Sequence, residues 1–128
     1  MKLLLDTCTF LWFANDDPKL SPVAKRWIED GASEVFLSAV SSWEISRKYE
    51  LQKLALPEPP EVFLALHREA NRFGYLPLDE IDLIHSSRLP LHHRDPADRM
   101  LIAQASLRGL TILTPDPMFR SYAVRVIW

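Results

Sequence analysis

Short apolar runs alternate with helical segments along this chain, and the alternation predicts an α/β fold on a mostly parallel sheet of four to five strands. The candidate strands are Lys2 to Leu5, Val35 to Leu37, Tyr75 to Leu78, Thr111 to Leu113 and Val124 to Trp128. Strands separated by helices need crossover connections, which lay helices on both faces of a parallel sheet. The length of 128 residues, with 48% hydrophobic and 25% charged residues, suits one domain over 1–128 that holds a core without staples. In such folds ligands bind beyond the carboxyl ends of the strands, where strand order reverses. The residues just after the strands therefore carry the most weight.

Each element has a local reason. Lys2 to Leu5 is a compact apolar run, ended by Asp6. Thr7 to Ala14 reads as a short helix, with Asp6 or Thr7 as its cap. Asn15 to Lys19 is a turn, and Ser21-Pro22 opens the next helix, which runs to Gly31. After the second strand, Ser38 or Ser41 caps a helix reaching about Leu51. The stretch Pro57 to Pro60 breaks the chain, and a helix begins near Glu61 and ends at Gly74. Asp79 caps a short helix across Ile81 to Ser87, followed by a loop from Leu89 to Arg94. Pro96 to Arg108 is the strongest helical segment, ended by Gly109.

Composition excludes several classes. Only 3 glycines occur, and Gly31, Gly74 and Gly109 each follow a predicted helix end, where a left-handed cap is wanted. None is left for a phosphate loop or a dinucleotide fingerprint. The net charge of −2 gives no general basic field for nucleic acid, so a polyanion must be held by a local patch or through a metal. The single cysteine, Cys8, forms no internal disulfide, which fits a reducing cytoplasm. The start MKLLLDT is too short for a secretory leader, and no stretch approaches the length of a membrane span.

Four acids stand among apolar neighbours: Asp6 after Leu3-Leu4-Leu5, Glu44 between Trp43 and Ile45, Asp98 at the head of an apolar helix, and Asp116 after Thr114-Pro115. A buried carboxylate is costly unless paired or bound to a metal. Several in one pocket repel one another, and a divalent cation removes that repulsion. Oxygen ligands suit Mg²⁺ or Mn²⁺, and such a site supports metal-assisted hydrolysis. Singly, each acid has an ordinary explanation. Asp6 and Asp98 fit helix N-termini, Asp116 fits a Pro-Asp-Pro turn, and Glu44 can pair with Lys48 one helical turn on. Together those explanations weaken, because Asp6 and Asp116 follow strands.

The blocks LLLDTCTFLW, LSAVSSWEIS, LPLHHRDPADRMLIAQA and ILTPDPMFRSYAVRVIW, in this order, resemble PIN-domain ribonucleases, in particular VapC-type toxins of toxin–antitoxin pairs. The resemblance covers essentially the whole chain. It implies a PIN-like α/β/α sandwich and a Mg²⁺- or Mn²⁺-dependent endoribonuclease. Cleavage would proceed by metal-activated water attack on the phosphodiester, leaving 5′-phosphate and 3′-hydroxyl ends. The family's acids match Asp6, Glu44, Asp98 and Asp116 as catalytic metal ligands, with Asp95 as a further ligand or a loop anchor. Thr7, Ser38 and Thr114 are the candidate hydroxyls behind the ligands. Many relatives carry His where Cys8 stands and an aromatic where Ala97 stands.

The remaining expectations concern partners. RNA would be guided by local cations, Arg94 and Arg99 foremost, with Arg47, Lys48, Lys53, His92 and His93 as further candidates. The resemblance implies a cognate antitoxin, a homodimer, and contact with DNA only indirectly through the antitoxin. Trp12, Phe13, Trp27, Trp43 and Tyr49 supply apolar surface for an antitoxin segment or a dimer face. Zinc is disfavoured, since His92 and His93 have no cysteine or third histidine nearby. Asp6 lacks the acidic neighbour of a phosphoacceptor domain. Position 8 is Cys rather than the second aspartate of a haloacid-dehalogenase phosphatase. A non-catalytic PIN-like module would be expected to lose an acid, and all four are present.

Overall fold

A computed structural model describes residues 1–128. Its centre is a sheet of five parallel strands: β1 (Lys2–Leu5), β2 (Glu34–Ser38), β3 (Gly74–Leu76), β4 (Thr111–Leu113) and β5 (Val126–Ile127). The spatial order is β3-β2-β1-β4-β5. From β1 the chain first winds outward through β2 and β3, then returns to place β4 on the other side of β1. The order therefore reverses between β1 and β4, and their carboxyl ends, Leu5 beside Leu113, open on that crevice.

Side chains alternate across each strand, so the sheet has two apolar faces. Leu3, Leu5, Val35, Leu37 and Leu113 enter one core with Phe10, Ile45 and Phe63. Leu4 and Ile112 enter the other with Leu101, Ile102, Ala105 and Phe119. The helices are α1 (Thr7–Ala14), α2 (Pro22–Glu29), α3 (Ala39–Glu50), α4 (Pro60–Asn71), α5 (Glu80–Arg88) and α6 (Pro96–Arg108). The first core takes its helical side chains from α1 to α4, and the second takes most of its own from α6. None of the helices is long and apolar enough to cross a membrane.

Caps resolve two choices the sequence left open. Asp6, not Thr7, caps α1, accepting from the Thr9 amide at 2.9 Å. Ser38, not Ser41, caps α3, accepting from the Val40 amide at 3.0 Å. One element was not anticipated: a 3-10 turn over Pro117–Ser121, capped by Asp116. The last strand is also shorter than the apolar run that predicted it, Val126–Ile127.

The reading of all three glycines as helix caps holds only at Gly109, which has φ +64°. α2 ends at Glu29, with Asp30 extended after it. α4 is closed by Arg72 in the left-handed region, φ 56°. Gly74 instead opens β3 directly opposite Phe36, and a Cβ there would stand 2.7 Å from the Phe36 ring. Gly74→Ala is expected to cost about 1–3 kcal/mol through forced displacement of that ring, read as a lower urea midpoint with unchanged slope.

The aromatic residues divide. Trp12, Phe13 and Trp27 pack, partly buried, against the first core. Trp43 stays 52% exposed, with the Arg47 guanidinium 5.8 Å from its ring centre.

Candidate metal centre

The four predicted acids reach one end of the sheet by different routes. Asp6 follows β1, and Asp116 follows β4 by three residues. Asp98 projects from the first turn of α6, and Glu44 from the middle of α3. The Thr114 hydroxyl links two of them: it donates to Asp6 Oδ2 at 2.5 Å and accepts from the Asp116 amide at 3.1 Å. Asp98 lies close enough to Glu44 and Asp6 to feel both charges.

The electrostatics are those of crowded, poorly hydrated carboxylates. Burial pushes the Asp6 carboxyl above its ordinary range, against the pull of hydrogen bonds from Thr114 and Thr9. Asp98 is pushed up to about 7, first by burial, then by the neighbouring Asp95 charge, with Glu44 and Asp6 adding to it. Glu44 meets Lys48 through Oε2 at 3.4 Å, while its Oε1 is buried with no hydrogen-bond partner. Buried polar atoms normally find a partner, so this free carboxylate oxygen is compatible with a bound cation. The donor set is mostly oxygen, which fits Mg²⁺ or Mn²⁺ better than zinc.

The sequence did not single out His93 as a member of this cluster. Its Nε2 lies 3.0 Å from Asp98 Oδ2 and 2.9 Å from Asp116 Oδ2. The only available signal was its place two residues before Asp95 in the HHRDPAD run, and the pairing with His92 pointed instead to a generic basic loop. His92 does belong to the surface, with its ring against Tyr122.

Other candidates separate in the same way. Asp95 acts as a loop anchor: its Oδ1 caps α6, accepting from the amides of Ala97 at 2.8 Å and Asp98 at 3.3 Å. Thr7 donates to the Ser41 hydroxyl and Ser38 to the Gln104 side chain, so neither hydroxyl contacts an acid of the cluster. Of the three hydroxyls, only Thr114 contacts the acids of the cluster. The expectation that Arg99 is free for RNA is corrected. Its guanidinium donates to the carbonyls of Ser86, Leu89, Pro90 and His93 and approaches the Tyr122 hydroxyl, which commits both terminal nitrogens to holding the loop before α6. Arg94 remains exposed. Cys8 donates its thiol to Asp6 at 3.4 Å. Burial and the Asp6 charge push its ionisation far up, so it stays a thiol and offers no nucleophile.

Tyr122 completes the support of that loop. Its hydroxyl donates to the Pro90 carbonyl at 2.6 Å and accepts from the amides of His92 and His93 at 3.1 and 2.8 Å. Tyr122→Phe strands the His92 and His93 amides, while Arg99 keeps the Pro90 carbonyl, and is expected to destabilise the protein by about 1–3 kcal/mol. Equilibrium unfolding in urea measures it, and faster amide exchange at His92 and His93 would localise the loss.

A doubly wound α/β/α protein with an acidic cluster at its topological switch point is the class that fold and site define together. Within that class the chain belongs to the PIN domain family, whose model matches residues 3–125. It is 29% identical over 122 residues to ribonuclease VapC22 of Mycobacterium tuberculosis, covering 94% of this chain and 91% of that one. Among solved structures it resembles the Rickettsia felis VapBC2 complex bound to a promoter DNA fragment. That match has TM-score 0.73 and 14% identity, over 100% of this chain and 99% of the other. DNA-bound VapBC of Salmonella typhimurium matches with TM-score 0.70 and 21% identity, over 99% and 97% of the two chains. These structural likenesses speak to the fold.

Proposed function

We propose that this chain is a divalent-metal-dependent endoribonuclease acting as the toxin of a toxin–antitoxin pair. The observation that supports the reading is the approach of Asp98, Asp116 and His93 within ligand distance in a PIN-family chain, with Asp6 tied to Asp116 through Thr114 and Glu44 near enough to act on Asp98. The similarity to ribonuclease VapC22 supports the choice of RNA as substrate. Asp6, Glu44, Asp98 and Asp116 would hold one or two Mg²⁺ or Mn²⁺ ions. The bound cation supplies activation of water and neutralisation of charge on phosphoryl oxygens, which would leave 5′-phosphate and 3′-hydroxyl ends.

The protein's own groups prepare that site. Thr114 fixes the Asp6 carboxylate and, through the Asp116 amide, the start of the 3-10 turn. Burial and neighbouring carboxylates make Asp98 give up its proton less readily than an ordinary carboxyl, and a bound cation would favour its ionised form. The chain carries no basic excess, so phosphate approach falls to local cations such as Arg94 and Lys53, with the metal supplying most of the attraction.

The partners follow from the same reading: a cognate antitoxin, a second copy of the chain, and DNA only through the antitoxin. The site of action is the cytoplasm. Exposed Trp43, Leu51, Leu66 and Tyr75 are apolar surface available for these contacts. The deciding experiment sequences RNA 5′ ends after induced expression. New monophosphorylated ends with growth arrest are expected, and both should vanish in Asp98→Asn. Unchanged 5′ ends and normal growth would overturn the reading.

A further inference from the structure

His93 is held by an unusual number of contacts for a loop residue. Its amide donates to the Tyr122 hydroxyl at 2.8 Å, and its carbonyl accepts from Arg99 at 3.2 Å. Its ring meets Phe119 edge-on, with centroids 5.7 Å apart. Its Nδ1 accepts from the Asp95 amide at 3.2 Å. An imidazole nitrogen that accepts carries no proton, so this contact places the ring hydrogen on Nε2. That N–H is hydrogen-bonded to Asp116 Oδ2 at 2.9 Å, and Asp98 Oδ2 lies 3.0 Å from the same nitrogen as an ion-pair contact. A protonated Nε2 has no lone pair for a metal. In this tautomer His93 is therefore a donor to Asp116, with Asp98 drawn against the same N–H, and not a ligand beside them.

We infer that His93 is a positioning residue, whose Nε2–H holds the Asp116 carboxylate by a hydrogen bond and draws that of Asp98 to the same nitrogen, in the arrangement that receives the cation. The two acids arrive from separate elements, the head of α6 and the residues after β4. When both are ionised they repel, and a single nitrogen stands within 3.0 Å of each to hold them together. The same contact leaves the second oxygen of Asp98 free, while that of Asp116 accepts from the Met118 amide at 2.9 Å. Partners of this kind typically contribute about 10–100-fold to metal affinity. The inference rests on the metal-site reading above.

The test is Mn²⁺ affinity of the full chain without RNA, measured by titration calorimetry at fixed pH. Two variants divide donor from ring: His93→Gln keeps an N–H donor without the ring, and His93→Phe keeps the packing on Phe119 without the donor. His93→Phe is expected to lose about 10–100-fold in affinity, with His93→Gln recovering most of it and both retaining the native circular dichroism. Equal affinity in His93→Phe and the unaltered protein would overturn the clamp. So would a loss in His93→Gln as large as in His93→Phe. If the unaltered protein takes up no Mn²⁺, the metal-site reading falls and the clamp falls with it. If uptake is normal and only the variants fail to discriminate, the clamp alone falls.

Discussion

Asp98→Asn is expected to abolish RNA cleavage and to cut Mn²⁺ affinity by more than about 100-fold, because even indirect partners of a ligand cost ~10–100-fold. The fold should survive. Asp98 lies in the first turn of α6, where an acid gains only ~0.3–1 kcal/mol from the helix dipole, and Asn forfeits little more than that. The variant also removes a charge that burial and Asp95 already disfavour. Metal-free Asp98→Asn is therefore expected to unfold at an equal or higher urea concentration than the unaltered protein near neutral pH. Asp6→Asn is the companion test. Asn is as good a helix cap as Asp, so the bond to the Thr9 amide persists. The Thr114 contact survives only if that hydroxyl turns to accept. Full cleavage by either variant in excess Mg²⁺ would remove that residue from the site.

Much of this arrangement was legible in the sequence, for reasons that are local. A buried parallel strand must be apolar throughout, so Leu3-Leu4-Leu5 and Thr111-Ile112-Leu113 announce themselves, and the acids that follow them are conspicuous. The switch point then places Asp6 and Asp116 together without knowledge of any distance. Asp98 was legible through its place before the apolar helix Met100 to Ala103.

What stayed hidden depends on the far partner of a side chain. Arg99 looks like any surface cation beside an acid, and only the folded loop shows its donors turned onto four carbonyls. His93 looked like half of a basic pair, and its role depends on residues from the end of β4 and the start of α6 meeting around it. Gly74 looked like a cap because it follows a helix, whereas Phe36, 38 positions earlier, is what requires it to be small. Arg72 shows the converse, since a non-glycine residue took the left-handed position that the sequence assigned to Gly74. Thr7, Ser38 and Thr114 are equivalent in sequence as hydroxyls near strand ends. Only contact with Asp6 distinguishes Thr114.

The crowded carboxylates also set how stability responds to pH and to metal. Asp98 titrates at about 7 in the folded protein, against an ordinary 3.8. Between those values the folded state binds more protons than the unfolded chain, so unfolding free energy falls as pH rises. The stabilisation is fully present below the ordinary value and is lost by about pH 7. Asp6 acts in the same direction. Asp82 acts oppositely. Burial pulls its carboxyl up, but Arg108 at 2.6 Å and the Asp79 amide hold it below the ordinary range, so its contribution disappears in stronger acid. Metal-free protein is thus expected to be most stable near about pH 4–5, below the usual neutral range. A divalent cation reverses the trend, because it binds the deprotonated acids and stabilises only the folded state. Urea midpoints measured across this range in EDTA should decline toward neutrality. In saturating Mn²⁺ they should hold or rise, and Asp98→Asn should flatten most of the decline. A metal-free midpoint that climbs steadily from about pH 4 to 7 would mean that these acids do not share a desolvated pocket.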